Sequence, residues 1–149
     1  MLERKAKTLV PGDEEQLVGR SLLRWLRTYP NLPADIEFEH LPDDTVGMML
    51  SSIQAAYKLE QYIDGGYLAQ YQFKIVYRSQ PSDNNSRLAA DELLNAIGAW
   101  AERRENLPSI TGVLVQRVQR DSGASLFATY EDGSRDHQIL MSLIYEVIK

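Results

Sequence analysis

The five residues His40-Leu41-Pro42-Asp43-Asp44 place a histidine four positions before an aspartate. Acyl transfer from coenzyme A uses such a pair, the imidazole taking the acceptor's proton while the carboxylate fixes the backbone around it. That reaction also needs a region to hold the pantetheine arm, and no second motif supplies one. Pro42, Asp43 and Asp44 read equally as turn formers after a strand, and Glu37 and Glu39 upstream indicate a solvated face. The other histidine, His137, stands between Asp136 and Gln138 and reads as a polar strand end. A serine nucleophile would need a G-x-S-x-G elbow, which is missing. Without cysteine there is no thiolate nucleophile, thiolate metal site or disulfide framework, and neither Asp64-Gly65-Gly66 nor the stretch 131–136 has EF-hand spacing. The expectation is a chain with no catalytic, cofactor-binding or metal-binding residues. An acyltransferase-like use of His40 and Asp44 is the alternative.

The elements that would position these residues follow from periodicity. Asp13 reads as the cap of a helix whose first turn carries Glu14 and Glu15, negative charge at the positive end of the dipole. Val18, Leu22, Trp25, Leu26 and Tyr29 make its apolar stripe, and the prolines at 30 and 33 end it. Ile36, Phe38 and His40 alternate with Glu37 and Glu39 as a short strand with one wet face. The stretch 46–63 reads as two extended segments with a kink near Ala55 and Ala56. Asp64, Gly65 and Gly66 form a tight turn. Beyond it Tyr67, Ala69, Tyr71, Phe73, Ile75 and Tyr77 fall on one strand face, with Gln70, Gln72, Lys74 and Arg78 on the other. At the usual rise such a strand approaches roughly 40 Å, long enough to project beyond its own sheet.

A second helix is expected from about Ser86 to Arg104, with Ala90, Leu93, Leu94, Ile97, Trp100 and Ala101 on its apolar face. Three strands follow, Val113 to Arg120, Ser125 to Glu131 and His137 to Ile148, the last apolar on both faces and so central in the sheet. The order predicts an α+β fold: a mainly antiparallel β-sheet, mixed pairing being allowed, with two principal α-helices packed on it and a long projecting β-hairpin. A length of 149 residues suits one domain, 1–149.

Composition narrows the partners. The net charge is −5 and the acidic residues are spread along the chain, which disfavours sequence-specific nucleic acid. No apolar run is long enough for a membrane, and the charged start MLERKAK lacks a secretory signal's core, so the protein is expected to stay where it is made. One basic stripe stands out: Arg20, Arg24 and Arg27, spaced by four and three, form a candidate phosphate or subunit contact. The tyrosine-rich strand face suits core packing, and any part outrunning the sheet would offer aromatics to a neighbour. Asp64, Gly65, Gly66, Tyr67 and Tyr71 are accordingly the oligomer-interface candidates.

The stretches IEFEHLP, IQAAYKLEQYIDGGYLAQYQFKIVYRSQPS, LAADELLNAIGAWAERRENLP and DHQILMSLIYEVI together resemble the small minor capsid proteins of tailed bacteriophages and prophages. The resemblance spans nearly the whole chain and lies in overall texture rather than in a diagnostic motif. Such proteins are similar to tail-terminator and head-tail joining proteins. The resemblance implies a subunit that forms a hexameric ring with copies of itself, capping the tail tube and docking it to the head. Its other partners would be tail-tube and head-connector proteins, and its place the bacterial host cytoplasm during assembly and then the virion head-tail junction. It brings no catalytic residues and no cofactor.

Overall fold

The computed structural model describes residues 11–41, 46–53, 58–80 and 83–148. In chain order they form α1 (Pro11–Leu26), β1 (Ile36–Phe38), β2 (Gly47–Ile53), β3 (Lys58–Gln61), β4 (Tyr67–Ser79), α2 (Asn84–Glu102), a short 3₁₀ turn (Arg104–Asn106), β5 (Leu114–Arg120), β6 (Ser125–Thr129) and β7 (Arg135–Val147). The seven strands among these residues make one sheet in the order β1-β2-β4-β7-β5, with β3 also paired to β4 and β6 to β7. The fold is α+β, two helices packed on a mixed sheet. All pairings are antiparallel except β1 with β2, which run parallel.

β4 and β7 form the spine, and their lengths match. Each has thirteen residues, and they pair without a shift from Tyr67↔Val147 to Ser79↔Arg135. The period of two therefore carries Tyr67, Ala69, Tyr71, Phe73 and Ile75 onto the same face as Ile139, Met141, Leu143 and Tyr145, all buried. Both helices lie on this face. Val18, Leu22, Trp25 and Leu26 bury the α1 stripe, and Ala90, Leu94, Ile97 and Ala101 that of α2. The helices meet where Trp25 stacks on Trp100 at 5.2 Å between ring centroids and Tyr29 meets Trp100 edge-on at 5.4 Å. Such aromatic pairs contribute about 0.5–1.5 kcal/mol beyond their burial. Trp25 Nε1 also donates to the Asn106 carbonyl at 2.5 Å, tying α1 to the 3₁₀ turn.

Several boundaries differ from the sequence reading. Helix α1 starts at Pro11, whose fixed φ and missing N–H suit a first helical position, so Asp13 lies in the first turn and is not the cap. It ends at Leu26, with Thr28 and Tyr29 closing onto Trp25 and Leu26. β1 stops at Phe38 because Glu39 takes a left-handed backbone (φ 56°), its carboxylate accepting from the Ser52 amide at 2.7 Å. His40 is thus outside the strand. Helix α2 begins two residues early, Asp83 capping it by accepting from Ser86 N at 2.8 Å. The kink foreseen at Ala55 and Ala56 lies outside the described residues. The hairpin is no long arm: β3 has four residues, and β4 is paired to β7 over its whole length. Only the turn between β3 and β4 stands free.

Candidate functional site

That turn, Tyr62-Ile63-Asp64-Gly65-Gly66, is held by its own backbone. Tyr62 N donates to Gly66 O at 2.8 Å, Gly65 N to Tyr62 O at 3.1 Å, and Gly66 N to Asp64 Oδ1 at 3.0 Å. Gly65 sits at φ 94°, a conformation glycine adopts without strain. The Tyr62 hydroxyl donates to Glu146 at the end of β7 at 2.6 Å, and that carboxylate pushes its pKa up to about 12. On this fixed loop Ile63 is fully exposed, with a relative accessibility of 107%. Lys58, Leu59, Glu60 and Gln61 of β3 are exposed beside it.

Of the five hairpin candidates, Asp64 and Gly65 lie in the free turn, with Gly66 at its buried foot. Tyr67 and Tyr71 are only 5% and 7% exposed. Their strand face is turned onto α1, because β4 does not outrun the sheet. Tyr67 and Tyr145 both donate hydroxyl hydrogen bonds to Glu14, the latter at 2.5 Å. Glu14 is completely buried, a carboxylate that locks α1 to the two central strands. Lys58 lies over the Tyr67 ring at 4.3 Å.

The arginine stripe divides. Arg27 donates to the Ile36 carbonyl from Nε at 3.2 Å and from an Nη at 2.9 Å and lies 3.9 Å from Glu37, so it fastens the end of α1 to β1. Arg20 and Arg24 are exposed and pair with no carboxylate among the described residues. Arg20 stands at the rim of a groove of about 400 Å³ between α1 and the β1 side of the sheet. Gly19, Leu23, Phe38 and Tyr71 line it. Phe38 is 41% exposed there. Gly19 keeps the floor open: a Cβ at that position would stand 3.2 Å from the Tyr71 hydroxyl oxygen. The groove therefore combines an apolar floor with a cationic rim.

His40 is exposed, and Asp44 lies outside the described residues. His137 corrects the reading of a polar strand end. It is 3% exposed within β7, and its Nδ1 lies 2.7 Å from Asp91 Oδ1 of α2. Its Nε2 is buried with no partner among the described residues, so the pair joins helix to sheet and the imidazole itself is shielded from solvent. Alternation was the available signal, since His137 shares a face with Ile139 and Met141. On the opposite face Arg78 forms a two-pronged pair with Asp136, 2.7 and 2.9 Å, and Tyr130 donates to the same carboxylate at 2.7 Å. This pair holds the Arg78 guanidinium well above its ordinary value, hydrogen bonding to Asp136 being the main cause. Among the described residues no group of three His, Asp or Glu side chains could hold a metal, and no helix is long and apolar enough to cross a membrane.

No protein-family model matches the chain, and no curated protein matches it. A chain from the virion of a native gene transfer agent particle superposes on it with a TM-score of 0.51 and 12% identity. The match covers 89% of this chain and 90% of that one, and it establishes a shared fold. A second solved chain aligns at a TM-score of 0.49 and 15% identity over 95% of this chain and 98% of that one.

Proposed function

We propose that the protein is a structural virion component of the tailed-phage kind, a subunit that works through protein contacts and forms a ring at the head-tail junction. The observation that carries this reading is the fold held in common with a gene transfer agent virion chain over about nine-tenths of both chains. The resemblance of the sequence to tailed-phage minor capsid proteins supports the same class. A fixed turn presenting a bare isoleucine and a groove with an apolar floor are the kinds of surface a head-to-tail subunit needs. Its neighbours in the particle would be tail-tube and head-connector proteins.

Electron microscopy of the purified chain, alone and mixed with tail tubes, tests the reading. The expected result is closed six-membered rings, free or seated on tube ends. Tubes left uncapped, together with a chain that forms no ring, would refute it.

A further inference from the structure

Two turns in this chain are built alike. Tyr130-Glu131-Asp132-Gly133-Ser134 joins β6 to β7 as Tyr62-Ile63-Asp64-Gly65-Gly66 joins β3 to β4. Tyr130 N donates to Ser134 O at 2.9 Å, Gly133 N to Tyr130 O at 3.0 Å, and Ser134 N to Asp132 Oδ1 at 2.9 Å, the same three bonds as in the first turn. Gly133 has φ 89° where Gly65 has 94°. Each leading tyrosine donates to a β7 carboxylate, Asp136 or Glu146. The position after the tyrosine takes no part in these bonds. The second turn puts an exposed glutamate there, the first an isoleucine in full contact with water. Turn geometry therefore does not account for Ile63.

We propose that Ile63 is the knob of a contact between copies, seating in the groove of a second copy between Leu23, Phe38 and Tyr71. Charge complementarity names the occupant. Ile63 is flanked by Asp64 and Glu60, and the groove is rimmed by Arg20 with Arg24 one helical turn further on. Asp64 spends Oδ1 on Gly66 and keeps Oδ2 for a guanidinium. The turn cannot reach its own groove: the stretch from Tyr67 to Tyr71, roughly 13 Å of extended chain, is locked in register with β7. Because knob and groove are different surfaces, the contact is head-to-tail and repeats from copy to copy, closing into a ring where the rotation allows.

The inference rests on the proposed role as a self-assembling subunit and is tested so that the two can fail separately. The chain has no cysteine, so Ile63→Cys and Phe38→Cys can be made singly and mixed under mild oxidation. The mixture is expected to give a cross-linked pair of unlike chains, which neither variant alone gives at comparable yield. In parallel, Ile63→Glu and Ile63→Ser, neither of which removes a turn hydrogen bond, are expected to weaken self-association by roughly ten- to a hundredfold with an unchanged circular dichroism spectrum. If the wild-type chain associates while both substitutions and the cross-link are without effect, the knob is wrong and the subunit role stands. If the wild-type chain is a monomer at every attainable concentration and the mixed cysteine variants give no cross-link, the knob falls, and the subunit role is decided by whether tube ends are capped.

Discussion

The two turns, 62–66 and 130–134, separate what a sequence motif builds from what it is used for. In both, the Asp-Gly pair closes the loop and a tyrosine anchors it to β7. The anchors differ in depth. Tyr130 reaches Asp136, which is 2% exposed and gripped by Arg78, whereas Tyr62 reaches Glu146 at a half-buried strand end. The second turn is thus tied into the sheet and tipped with a glutamate suited to water. The first is tied more lightly and tipped with an isoleucine. The two ends of β7 thus differ in the depth of their anchor, and the bare isoleucine tip stands at the shallower one.

The comparison is broken most severely at the deep anchor. Asp136→Ala removes the buried carboxylate, 2% exposed, that accepts from both Arg78 and Tyr130, and removal of one partner from a buried pair costs about 3–5 kcal/mol. Denaturant unfolding should show that loss, and a loss under about 1 kcal/mol would mean that the pair is not the anchor. Glu146→Ala, at the light anchor, should lower Tm clearly less than Asp136→Ala does, and an equal fall would erase the distinction between the two ends.

Alkaline pH sharpens the same contrast. The Tyr62 hydroxyl has its value raised from 10.0 to about 12 by Glu146. A raised value means that the protonated form is favoured by folding, so its contribution is complete below pH 10 and disappears as pH climbs through about 12. The ultraviolet difference titration of wild type minus Tyr62→Phe should have its midpoint near pH 12, and a midpoint near 10 would mean that the hydrogen bond to Glu146 is not made. The smallest effect is expected from Glu131→Ile, which gives the second turn the first turn's tip. Its solvated position should keep stability within about 0.5 kcal/mol of wild type. Oligomer mass should also be unchanged, and a gain in mass would mean that any exposed isoleucine drives association.

Much of this was legible in the sequence. The alternation from Tyr67 to Tyr77 gave the buried face of β4, apolar residues on both faces gave β7 its central place, and both Asp-Gly turns were readable from residue type alone. The length of β4 misled, because the match to an equally long β7 depends on pairing between residues some seventy positions apart. The parallel β1-β2 pairing and the Arg78–Asp136 grip were hidden because each is a register effect, and the His137–Asp91 tie because it depends on how α2 packs on the sheet. The interface candidates divided along that line. Tyr67 and Tyr71 went to the core once β4 was paired, while Asp64 kept its exposed place beside Ile63, a residue that turn chemistry gave no reason to single out.

The most direct test is solution mass by light scattering, measured across a concentration series for wild type and Ile63→Glu side by side. The expected result is a discrete closed oligomer for the wild type and a shift toward monomer for the variant at matched concentration. Identical masses for the two chains at every concentration would contradict the account.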